Sequence, residues 1–264
     1  GMSAYSRKDY KEAISKLSEA LKYLENLSPE EIKSAKYVIA ESYYLRKDYV
    51  NAVVYLEDYL FYYPESPEAE RVYFMLVDSY MKVAPDAYRD QTYTYKAIEK
   101  AKDFLTKYPN SPYADRVLDL IDKAQKKIAK HEYLIGRFYE DFGFYYSASL
   151  RYRDLLASFP EEVSEAEVLY RYIKSLLLVE LQAKKQEERF RRLIEEANKR
   201  KKELKDEESK KAIDKRIRFF ESEIERWRKL AKDSKEEGLK LLEKYKETYG
   251  ENAYYRELLR YARR

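Results

Sequence analysis

The sequence predicts an all-α protein, about five helical hairpins stacked in a row and followed by an extension of long helices. Three observations carry this. The 264 residues include only 5 Gly and 7 Pro, too few of the punctuating residues that a β-sandwich or a flexible linker needs. Charged residues make up 39%, against about a quarter in an average soluble domain, and most are the Lys, Glu and Arg that favour helices. The 30 Tyr are far more aromatic surface than a disordered polyelectrolyte carries, so a packed core is expected.

A recurring cassette marks the helix boundaries: Tyr63-Pro64-Glu65-Ser66-Pro67-Glu68-Ala69, Tyr108-Pro109-Asn110-Ser111-Pro112-Tyr113-Ala114 and the looser Phe159-Pro160. The first Pro cannot continue a helix. Ser66 and Ser111 suit the N-cap, and Pro67 and Pro112 the first helical position, where a missing N–H costs nothing. Between cassettes Tyr37, Ile39, Ala40 and Tyr43 precede Lys47-Asp48-Tyr49, then Ala52, Leu56, Tyr59 and Leu60. Residues 132–160 repeat this as Ile135, Gly136, Tyr139, then Gly143, Tyr145, Ala148, Tyr152, Leu155 and Leu156. Lys8-Asp9-Tyr10, Ala13, Leu17, Ala20 and Leu21 match its second half. Small residues let two antiparallel helices approach, and large ones fill the space around them. This is the tetratricopeptide repeat pattern, and it implies a superhelix with a concave groove.

The spacing defines five units over 3–182. The first, 3–27, lacks most of its first helix. The second is 33–64. The third, 68–109, has an insert around Lys82–Thr94. The fourth, 129–160, follows a linking helix at 113–128, and the fifth runs from 165 to about 200. Residues 183–264 contain no Pro and form a charged helical extension. Phe190, Leu193, Ala197 and Leu204 fall at helical steps, and Ile213, Ile217, Phe220, Ile224, Trp227 and Ala231 form a heptad seam. The seam suits a dimer interface or an intramolecular antiparallel pair reversing near Lys205–Ser209, and the short reversal favours the pair. Ser234 and Glu237 match a capping box opening another helix, Gly250 suits a C-cap, and the last stretch suits a degenerate sixth repeat.

Composition excludes several classes of chemistry. No Cys and one His leave no disulfide framework, thiol nucleophile or zinc ribbon. No apolar run approaches the ~18 residues of a membrane span, and no signal peptide is present. Gly1-Met2 reads as a cloning scar, so an upstream leader is expected to have been removed. Few Asn and Gln with abundant Lys and Glu fit a thermophile. His131 lacks a nucleophile motif beside it and reads as a helix-surface or groove histidine. Pairs such as Glu161-Glu162 point about 100° apart on a helix, poor geometry for acid–base partners. No phosphate-loop, dinucleotide or zinc-protease motif occurs. We therefore expect no enzymatic activity, no cofactor and no metal. Net charge is +4, divided into an acidic front and a basic tail that includes Lys199-Arg200-Lys201-Lys202. Acidic residues interleave the rest of that tail, so a solvated helix face is the reading and nucleic-acid binding is not expected.

Most tyrosines fall at packing positions. Those on the inward face of the first helices are candidates for a peptide-binding groove: Tyr37, Glu41 and Tyr44, then Arg71, Phe74 and Asp78, then Tyr133 and Arg137, then Tyr170 and Lys174. Rings flanked by charges suit an extended peptide, because Tyr offers apolar area and a hydroxyl at small entropic cost.

Arg89-Asp90-Gln91, Ala97 and the cassette at 108–114 resemble the third repeat of the BamD (YfiO) family of outer-membrane assembly lipoproteins. Ala129-Lys130-His131-Glu132, Arg137-Phe138-Tyr139 and Gly143-Phe144-Tyr145-Tyr146-Ser147-Ala148 resemble its fourth. The resemblance covers roughly residues 3–182 and implies a five-repeat rod in the periplasm, held at the outer membrane only by an N-terminal lipid whose Cys is absent here. The partners it implies are the barrel-assembly machinery subunit and unfolded outer-membrane protein segments. The charged extension departs from the family's usual pattern. A repeat adaptor of another envelope or cytoplasmic complex, using the same groove, is the alternative.

Overall fold

A computed structural model describes residues 1–263. The described residues are helical apart from short connections: α1 (Met2–Ser6), α2 (Tyr10–Ala20), α3 (Pro29–Leu45), α4 (Tyr49–Tyr62), α5 (Ala69–Val83), α6 (Thr92–Lys107), α7 (Ala114–Asp141), α8 (Tyr145–Ser158), α9 (Glu165–Glu203), α10 (Glu207–Tyr249) and α11 (Ala253–Ala262). The chain forms two compact units, Gly1–His131 and Glu132–Arg264. The fold is the expected all-α, tetratricopeptide-like succession of packed helices.

In the first unit each of α1 to α5 packs on the helix after it, and α1 on α3 and α3 on α5 as well. The hairpin α3–α4 shows why. Ser28 caps α3 by a reciprocal capping box with Glu31, with Pro29 at the first turn. Ala40 and Ala52 are fully buried, so the backbones come close. Tyr43 then stacks on Tyr55 at 4.8 Å and Tyr37 meets Tyr59 edge-on at 5.8 Å, contacts whose opposed order makes the pair antiparallel. Leu56, Tyr59, Val72, Met75, Leu76, Tyr80, Ala101 and Phe104 continue one core, and each large side chain so buried contributes about 1.5–3 kcal/mol.

In the second unit α8 packs on α9, and α9 on α10 and α11. Three sequence expectations change here. The linking helix at 113–128 and the fourth repeat's first helix are a single helix, α7, because nothing between 114 and 141 breaks it. The fifth unit is not a hairpin within 165–200: α9 runs unbroken through that stretch and across residues 182–183, and its antiparallel partner is α10. Ser234 does not open a helix but lies buried in the middle of α10. It belongs with Ala231 and Gly238 to a row of small residues where α10 crosses α9; a Cβ on Gly238 would lie 3.2 Å from Leu177 Cδ2. The motif has the right letters, but close packing rather than capping uses them. The chain reverses at 204–206, Asp206 caps α10, and Gly250 ends α10 at φ 68°. Tyr255 and Leu258 of α11 close over Ile173, Leu177, Leu242 and Tyr245.

Candidate functional site

The groove candidates fall on α3 and α5 in the first unit, and on α7 and α9 in the second. Tyr37, Glu41 and Tyr44 are spaced by four and three residues, and Arg71, Phe74 and Asp78 by three and four, so each set shares one helix face. These two faces are brought together. Glu41 is 1% exposed; the Tyr5 hydroxyl of α1 donates to it and the Arg71 guanidinium of α5 pairs with it. Tyr44 Oη donates to Asp78 at 2.9 Å. Burial pushes the Tyr37 hydroxyl pKa up, reinforced by the Glu41 charge. Burial and Asp78 do the same to Tyr44.

Phe74 is 4% exposed. It stacks on Tyr113 at 4.7 Å, with the Arg116 guanidinium 4.2 Å from its ring centre. Beside it opens a cleft of about 300 Å³, with Phe74, Met81 and Leu120 contributing apolar surface and Asp78, Arg116 and Lys123 contributing charge. The α7 residues of this cleft escape the sequence reading, which assigns 113–128 to a linker. A signal for them exists: Arg116, Leu120 and Lys123 repeat the spacing of Tyr37, Glu41 and Tyr44.

In the second unit Tyr133 donates to Glu167 at 2.6 Å, and Arg171 lies 5.5 Å from the Tyr133 ring centre. Arg137 sits one turn from Asp141, 3.9 Å away. Lys174 pairs at 3.0 Å with Glu140, a buried carboxylate that also accepts from Tyr152 at 2.9 Å and Arg171 at 3.1 Å. Burial opposes ionisation of Glu140, but hydrogen bonds from Lys174 and Tyr152 and the charges of Lys174 and Arg171 outweigh it, leaving its pKa below the ordinary value. Tyr170, 6% exposed, is stacked under Tyr254 of α11 at 4.5 Å. Glu41, Phe74 and Tyr170 are thus buried parts of the surface's support, whereas Tyr37, Tyr44, Arg71, Tyr133, Arg137 and Lys174 stay partly or largely open.

His131 has a structural place. Its Nδ1 lies 2.8 Å from the Ala87 carbonyl oxygen and Lys127 donates to Ala84 O at 3.2 Å. Together with Gln91, which donates to the Asp86 and Arg89 carbonyls, they order the insert between α5 and α6.

Apolar surface edged by alternating charges, set on a frame of packed helical hairpins, defines a tetratricopeptide-like protein. The chain belongs to the YfiO family of outer membrane lipoproteins, whose family model matches residues 1–192. It is 52% identical over 260 residues to a protein of Aquifex aeolicus (strain VF5) described as an outer membrane protein assembly factor, BamD. That match covers 98% of this chain and 85% of the relative.

Proposed function

We propose that this chain is a non-enzymatic scaffold of outer-membrane β-barrel protein assembly, in which the first unit grips an extended, aromatic-rich segment of an unfolded barrel protein. The observation that carries this reading is the cleft beside Phe74, with apolar surface from α5 and α7 and both charge signs around it. An aromatic side chain entering it would meet Met81 and Leu120, while Asp78, Arg116 and Lys123 would engage the polar groups of the segment. The frame is already ordered by the Glu41 node, so little further ordering is needed on binding, which favours reversible capture. The second unit's Tyr133, Arg137 and Lys174 offer a similar mix of ring and charge to a further stretch of client or to a partner subunit. The support for the assembly role is the family and the relative's description.

The test is a fluorescence titration of a terminal peptide from an outer-membrane barrel protein. We expect Arg116→Ala, at an exposed position, to weaken binding at least tenfold without lowering the melting temperature, and Leu120→Glu, partly buried against the core, to weaken it as much with a modest loss of stability. Tyr44→Ala and Tyr37→Ala should weaken it too, at some cost in stability. Unchanged affinity in Leu120→Glu and Arg116→Ala would remove the cleft from the mechanism.

A further inference from the structure

The geometry points to a second contact site, at the tip of the α9–α10 pair: a basic end that rests on an anionic lipid surface. The arm is clearly delimited. From 187 to 228, every hydrogen bond, ion pair and ring contact described joins α9 to α10 or stays within one of them, including Glu187 with Arg228 at 2.7 Å, Phe190 with Phe220 at 5.8 Å and Lys201 with Asp214. At 1.5 Å per residue the α9 half of the arm is about 25 Å long. The basic excess of the carboxyl-terminal third, read in sequence as spread along a solvated face, is concentrated at its end. Residues 199–218 hold ten Lys and Arg against five Asp and Glu.

The acids there are largely committed. Asp206 caps α10 through the Ser209 N–H, Asp214 pairs with Lys201 and Glu207 with Lys210 at 2.8 Å. Among the described residues Lys199, Arg200, Lys202, Lys205, Lys211 and Lys215 are exposed and no ion pair is formed by them. Such a cluster is complementary to a surface of negative headgroups, each cation near it adding roughly fivefold to affinity. The tip also has no aromatic residue between 199 and 218, so it lacks the stacking platform of a single-strand nucleic-acid site and the wedge that would insert into a bilayer. A flat electrostatic contact is what remains, and the family's outer-membrane association supplies the surface. The family match ends at residue 192, before the tip, so the tip is an addition to the matched repeats. The inference rests on membrane association and is independent of peptide capture.

The experiment is co-sedimentation of the full chain with vesicles of phosphatidylcholine, alone or with about a third phosphatidylglycerol. Binding is expected only to the anionic vesicles, weakening steeply as salt rises above about 0.15 M. The variant Lys199→Glu/Lys202→Glu/Lys205→Glu/Lys211→Glu should lose at least a hundredfold in affinity with unchanged helicity and peptide binding. The matching Gln variant should lose less, and Lys229→Glu/Lys232→Glu, off the tip, should bind as the parent does. Equal binding to both vesicles, or an unaffected fourfold Glu variant, would overturn the assignment. So would a duplex DNA that displaces the chain from anionic vesicles at equal phosphate concentration, which would make the tip a nucleic-acid site.

Discussion

Gly136 carries a hydrogen where the usual helix former carries a methyl group, and the neighbour decides what replacing it would do. A Cβ there would sit 2.6 Å from Tyr152 Cε1. Tyr152 is fully buried and hydrogen-bonded to Glu140, so its ring cannot swing aside. Overpacking of this kind costs about 1–3 kcal/mol, against about 1 kcal/mol returned by the helix preference of Ala. Gly136→Ala should therefore destabilise by up to about 2 kcal/mol in urea unfolding. Gly238→Ala should stay within about 1 kcal/mol of the parent, because its nearest neighbours, Leu177 Cδ2 at 3.2 Å and Leu176 Cβ at 3.3 Å, need yield far less than the Tyr152 ring. Glu140 makes a second prediction at this scale. Its carboxyl, ordinarily at 4.5, is held lower in the fold. Its stabilisation is therefore complete above about pH 4.5 and disappears as pH falls through the folded value. Glu140→Gln should cost about 3 kcal/mol at neutral pH, because it strands Lys174 and leaves Arg171 with Glu167 as its remaining carboxylate, and should flatten the acid limb of the stability profile.

Three hairpins share one turn, and comparing them shows which version is under strain. The residue before the second helix's N-cap is left-handed in each: Lys8 at φ 63°, Lys47 at φ 62° and Gly143 at φ 78°. A side chain in that region costs about 1–2 kcal/mol, whereas glycine costs about 0.5–1 through its freedom when unfolded. Lys47→Gly should thus raise stability by about 0.5–1 kcal/mol, measured by chemical denaturation. The caps differ in the opposite sense. Asp9 and Asp48 accept from the backbone N–H groups of Glu12 and Asn51, while Phe144, with nearly the same backbone angles as Asp48, offers no side-chain cap. Phe144→Asp should add about 1 kcal/mol, read as a rise in melting temperature. Neither change touches the cleft beside Phe74, so peptide affinity should not move.

Tyrosine burial is a property of the whole molecule. Tyr59 is pushed up to about 12 by burial, with Glu68 adding to it against the hydrogen bond to Ser66. Burial also raises Tyr80, Tyr152 and Tyr245. A raised tyrosine stabilises the fold fully below its unfolded value near 10 and ceases to do so as pH climbs through the folded value. An alkaline titration followed by tyrosinate absorbance should show this buried set ionising only in a cooperative step with loss of helix. A smooth single titration of all rings would contradict the packing described.

The repeat was legible because Pro and small residues act locally: a ring that blocks a helix, or an Ala that lets two backbones meet, does so in any surroundings. The expected serine caps are the exception: α5 and α7 begin at Ala69 and Ala114, two residues past the expected first positions Pro67 and Pro112, and α5 has no side-chain cap bond, because the cassette closes as a turn before the helix starts. Most of the candidate surface was legible from local pattern too, since spacing alone puts Tyr37, Glu41 and Tyr44 on one face. Spacing does not say how far a side chain will be covered. Glu41, Phe74 and Tyr170 carry the same periodic signature as their open neighbours, yet Tyr5, Tyr113 and Tyr254 from other elements close over them. Helix length was likewise a tertiary matter: α7, α9 and α10 run through points where local letters allow a start, because continuous packing is more favourable than an isolated cap. The sequence by itself determined the hairpins of the second and third repeats and the total charge. Only the tertiary structure decided which charges are neutralised and which gather at the end of an arm, because that depends on distances between residues far apart in the chain.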